Sequence, residues 1–116
     1  MHVPLEDLTR PVSLEDVFQL AAGAEQLSAA LHNLSSELNR EGARIIWTEC
    51  FFQFRHARCE LQRGQPATVL GHLRNFSEHY AKLVGLAEQA VGAEDVYVRH
   101  GKDAQDKLAK SLRTFN

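Results

Sequence analysis

Proline and cysteine are scarce in this chain, and no apolar run is long. Its 116 residues hold three prolines, Pro4, Pro11 and Pro66, and two cysteines, Cys50 and Cys59. The long interval between Pro11 and Pro66 favours long helices, because an interior proline removes a backbone hydrogen bond and clashes with the preceding turn. Every apolar stretch is broken by polar or charged groups well short of the roughly 20 residues that cross a membrane, so no span is expected. The N-terminus shows neither the basic start nor the apolar run of a secretory signal. Cys50 and Cys59 are nine residues apart in one predicted helix. At about 100° per residue they point to opposite sides and cannot bridge each other. Free thiols suit a reducing compartment, and a cytoplasmic location is expected.

Local motifs of familiar chemistry are missing as well. There is no close pair of cysteines, no His-Glu-x-x-His, no Glu-x-x-His and no haem-attachment Cys-x-x-Cys-His. Gly64, Gly71 and Gly92 stand alone, so no glycine-rich phosphate loop is present, and no nucleophile with a paired base is visible. His56 with Cys59, and His72 with His79, share helix faces, but four converging ligands are not apparent; neither a metal nor a cofactor is expected. The net charge of −2 gives no global attraction for nucleic acid or anionic membrane. With 44% apolar and 24% charged residues, the composition is that of one ordinary folded domain over residues 1–116.

What is present is helical periodicity. Residues 1–12 read as an irregular leader, and Ser13 is a candidate N-cap, with Asp16 three residues on and Glu15 near the positive end of the coming helix. Val17, Leu20, Ala24, Leu27, Leu31, Leu34 and Leu38 then step by three and four to about Arg40, with Gly42 as terminator. Asn33–Ser36 is the weakest part, because its polar side chains compete for backbone hydrogen bonds. A second helix is expected from about Ala43 to Gln62, stopped by Gly64. A third runs from Pro66 to about Ala90, broken at Gly92. The last, thinner stripe passes through Tyr97, Gly101, Ala104, Leu108, Ser111 and Phe115. Gly101 makes its first half doubtful, with Val96–Val98 extended or Asp103 capping a shorter helix as alternatives. Short connections predict an all-α, antiparallel, up-down-up-down four-helix bundle whose last helix is short or irregular at its start. Residues 13–39 carry four acids and no base, whereas 99–116 carry five bases and two acids, which favours packing the first helix beside the last.

The second helix has more apolar surface than one stripe needs. Trp47 and Phe54 step with the core positions and, with Tyr80, are core candidates or the lining of a small-ligand pocket. Ile45 and Phe52 point away from them, and Phe51 widens the same surface. Leaving such a side chain in water forgoes about 1.5–3 kcal/mol of burial. Ile45, Phe51 and Phe52 are therefore expected to meet a second copy of the chain or another helical protein. A non-enzymatic interaction, adaptor or regulatory role follows, most simply as a homodimer. Ten bases from Arg40 to Arg63 and Arg99 to Arg113 make a nucleic-acid surface an alternative, but Glu41, Glu49 and Glu60 are interspersed among them.

One short segment supports an enzymatic alternative. Arg74-Asn75-Phe76-Ser77-Glu78-His79 resembles the Arg-polar-x-x-x-His signature of the HEPN superfamily of small, often dimeric helical bundles. The resemblance covers six residues. It implies a metal-independent ribonuclease, or an inactive relative, with a composite site across a dimer. Arg74 would stabilise the phosphate, His79 transfer a proton and Asn75 orient them.

Overall fold

A computed structural model of the chain describes residues 13–115. The expected leader at residues 1–12 lies outside the described residues. Four helices account for nearly all of the rest: α1 Leu14–Ser35, α2 Arg40–Arg63, α3 Pro66–Val91 and α4 Val96–Arg113. No strand occurs among the described residues.

Each helix begins where a side chain or a proline meets its unpaired first turn. The Ser13 hydroxyl accepts the Asp16 N–H at 3.1 Å, and the Asp16 carboxylate accepts the Ser13 N–H in return. Pro66 opens α3 directly after Gly64, whose φ of 72° ends α2. Two boundaries differ from the sequence-based expectation. α1 stops at Ser35 instead of near Arg40, inside the polar stretch: Ser36 Oγ donates to His32 O at 2.8 Å. Asn39 then starts α2 by accepting the Gly42 N–H at 3.0 Å, so Gly42 lies in the first turn of α2 and terminates nothing. Leu38 consequently falls in the turn and is exposed.

The start of α4 also differs. α4 is the shortest helix, at 18 residues, but it is regular from Val96 onward. Asp95 caps it by accepting the N–H groups of Tyr97 at 2.8 Å and Val98 at 3.2 Å. Gly101 is buried within it and permits a close approach: a Cβ there would lie 3.1 Å from Leu31 Cδ1 and 3.2 Å from Val84 Cγ2.

α1 and α3 touch each other and both outer helices, whereas α2 and α4 do not meet among the described residues. The cross-section is thus a flattened rhombus, and the molecule measures 44 × 39 × 20 Å, about two helix diameters thick. α1 packs beside α4, as the charge distribution favours. The core holds Val17, Leu31, Leu73, Leu83, Val98 and Leu108 around a file of rings. Phe18 stacks on Phe54 at 5.1 Å, Phe54 meets Phe76 at 5.9 Å, and Phe76 stacks on Tyr80 at 5.5 Å. Ser35 is buried with its Oγ 2.6 Å from Leu31 O and 3.2 Å from Leu83 O, tying the end of α1 to α3.

Candidate interaction surface on the outer face of α2

Position in the rhombus determines which helix surfaces stay uncovered. α2 and α4 are the outer helices, each leaning on α1 and α3 alone. Beyond its first turn, where Val96 and Tyr97 are exposed, α4 presents Arg99, His100, Lys102, Asp103, Asp106, Lys107 and Lys110 to solvent. That is an ordinary solvated face. α2 buries Ala43, Cys50, Phe54 and Ala57. On the opposite side Ile45 is 58% and Phe52 49% exposed, and Phe51 on the flank is 40% exposed. The two outer helices share one environment, yet only α2 carries large apolar groups midway along its exposed side.

Heptad spacing aligns that side. Ile45, Phe52 and Cys59 follow one another at seven-residue intervals, drifting only about 20° per step, so they form one ridge. Cys59 is exposed and its thiol free. The Phe51 and Phe52 rings meet edge to face at 5.8 Å, and the Arg55 guanidinium sits 5.8 Å over Phe51. Arg58 similarly covers the Phe54 ring at 5.2 Å. Around the ridge stand Glu41, paired with Arg44 at 3.9 Å, and Glu60, paired with Arg63 at 3.2 Å. Glu49 accepts from Gln53 Nε2 at 2.9 Å, and Gln53 Oε1 accepts from His72 Nδ1 at 2.8 Å. An apolar ridge with a charged rim has the composition of a contact surface.

Trp47, Phe54 and Tyr80 occupy three different settings. Trp47 is half-buried between α1 and α2: its indole N–H donates to Ser28 Oγ at 3.2 Å and its ring stacks on His32 at 4.8 Å. Phe54 and Tyr80 both pack on Phe76, filling the core. The Tyr80 hydroxyl is fully buried with no hydrogen-bond partner, and burial, with Cys50 nearby, pushes its pKa up. Burial, reinforced by Glu49, likewise pushes the Cys50 thiol up to about 12. These contacts place Phe54 and Tyr80 in the packed core and Trp47 at its edge.

Arg74, Asn75 and His79 are spread around α3. Arg74 lines a shallow groove with Ala109, Leu112 and Arg113 of α4. His79 Nδ1 donates to the Asn75 carbonyl at 2.8 Å, one turn back on its own helix. Five residues of helix turn Arg74 and His79 roughly 140° apart, so one chain does not bring the two side chains together. The His56 and His72 rings approach to 5.1 Å between α2 and α3. Among the described residues no group of three or more His, Cys, Asp or Glu is placed to hold a metal ion. Nor is any helix among them long and apolar enough to cross a membrane.

Comparison with models of protein families, with curated proteins and with solved structures returned no match, so the arrangement of residues alone carries what can be said of function.

Proposed function

We propose that this protein is a non-enzymatic interaction module, an adaptor or regulatory subunit, that binds another polypeptide through the outer face of α2. The observation that carries the reading is the contrast between the two outer helices. α4 shows solvent a charged surface midway along its length, while α2 shows Ile45, Phe51 and Phe52. Covering each of these half-exposed side chains stabilises a complex by about 1 kcal/mol at ~25 cal/mol per Å² of apolar area. Their neighbours Glu49, Arg55 and His56 supply a rim that confers orientation more than affinity. Cys50 and Cys59 as free thiols fit a cytoplasmic setting for this role.

The test is to immobilise the wild-type protein and a Phe52→Glu variant and compare what each retains, both of the free chain and of other proteins in an extract of the source cells. Phe52 is half-exposed and lies outside the core cluster, so helicity by circular dichroism should be unchanged. The expected result is about tenfold weaker retention by the variant, a change of roughly 1.4 kcal/mol. Identical retention profiles for the two proteins would remove the proposal.

A further inference from the structure

We infer that the occupant of this face is a second copy of the same chain, laid end for end across α2 with the two-fold axis passing at Phe52. This rests on the outer face of α2 being a contact surface, and adds which surface it meets and in what register. The argument comes from the order of charges along the face. Its first half carries Glu41 and Glu49, and its second half carries Arg55 and Arg63, with the His56 imidazole between them. Arg44 and Glu60 stand at the edges of the face, about 80° around the helix from Phe52, where they pair with Glu41 and Arg63 of their own helix. Glu41 and Arg63 lie within about 20° of Phe52 and so are shared between those pairs and the partner, while Arg40 lies off the face at about 120°. A parallel pair of such helices would set acid beside acid and base beside base. An antiparallel pair sets acid beside base along its whole length.

The register follows from symmetry. In a two-fold antiparallel pair, residues equally far before and after the axis lie at the same height, and each flank of the helix meets the same flank of its partner. With the axis at Phe52, the two Phe52 rings meet at the centre. Ile45 and Cys59, each seven residues from Phe52, face one another across the ridge. Glu41 and Arg63, each eleven residues away, form the outermost pairs. Glu49 and His56 stand on one flank, three residues before the axis and four after it, so each carboxylate reaches the partner's His56. On the other flank Phe51 comes under the partner's Arg55, repeating between chains the contact that Arg55 already makes at 5.8 Å within one. Glu41 thus meets Arg63 and Glu49 meets His56 across the pair, and the large apolar groups share the middle.

The size of the face sets the strength. A helix of 24 residues is about 36 Å long and about 10–12 Å wide, so it covers roughly 400 Å² on each partner. That is about half the area per partner of a standard stable interface, which makes the pair a dynamic, concentration-dependent one. A chemical trap is therefore the informative test.

Ile45→Cys places a thiol opposite the partner's Cys59, close enough for a disulfide between facing helices. Under oxidised glutathione the Ile45→Cys protein should convert to a covalent dimer, and adding Cys59→Ser to it should abolish the link. The unmodified chain should not cross-link, because its two Cys59 residues are about 21 Å apart along the paired helices. In parallel, Glu49→Lys and His56→Glu should each weaken dimerisation about tenfold, and the double variant should recover most of it, as expected of a directly opposed pair. No disulfide in Ile45→Cys, a wild-type link through Cys59 alone, or no recovery in the double variant would each overturn the self-pairing. Phe52-dependent retention of a different protein, with no such link, would leave the contact surface standing and replace its occupant.

Discussion

Two buried groups, the Cys50 thiol and the Tyr80 hydroxyl, show what the core does at the level of single residues. Each is neutral in the folded state and disfavoured as an anion, so its folded pKa lies above its unfolded one. The stability this represents is complete below the unfolded pKa and is lost as pH rises toward the folded value. For Cys50 the window runs from the ordinary 9.0 to about 12, and the upward shift at Tyr80 acts in the same direction. Through these two groups urea midpoints should fall as pH rises above 9, and Cys50→Ala should flatten the first part of the decline. A stability that rises with alkali would contradict this placement. Cys59, in contrast, is exposed and open to thiol reagents in the native protein.

At the level of elements, α4 is held against α1 and α3 through Gly101. A Cβ there would come within 3.1–3.3 Å of Leu31 and Val84, so Gly101→Leu should lower stability by about 1–3 kcal/mol through overpacking. Gly23 on α1 has nothing within 4 Å of an added Cβ, and Gly23→Ala should raise stability by up to about 1 kcal/mol. Urea titration of both variants checks the pair of signs. The same glycine explains where sequence reasoning stopped. Ser13, Gly64, Pro66 and Gly92 act on their own neighbours in the chain, and those boundaries are readable from local chemistry. Gly101 resembles a helix breaker until the distant Leu31 and Val84 are placed beside it. Gly42 resembles a stop until the Asn39 side chain is seen to cap the helix that contains it. The exposed pair Ile45 and Phe52 was legible because their direction on α2 opposes Trp47 and Phe54 whatever the bundle geometry. Trp47 read as a core ring, yet its indole N–H finds Ser28 at the edge of the core, a partner that no local pattern reveals.

For the whole molecule, the decisive feature is the rhombic section. Contact between α1 and α3 moves them to the middle and leaves α2 and α4 each with an open side. Four helices cannot cover both, and in this chain only α4 has the polar sequence to remain open beyond its first turn. The order of charges on the outer face of α2, acids in its first half and bases in its second, then makes a second, antiparallel α2 a fitting cover. Arg74 and His79 stand on α3, outside the α2–α2 contact, so that pairing brings neither to the dimer centre.

The most direct measurement is sedimentation equilibrium of the wild type and Phe52→Glu side by side over a wide range of protein concentration. A self-pairing α2 predicts that the wild-type mass climbs from that of one chain toward that of two as concentration rises, while Phe52→Glu stays at one chain with unchanged helicity. A wild type that remains a single chain throughout, or a variant that associates as well as the wild type, would contradict it.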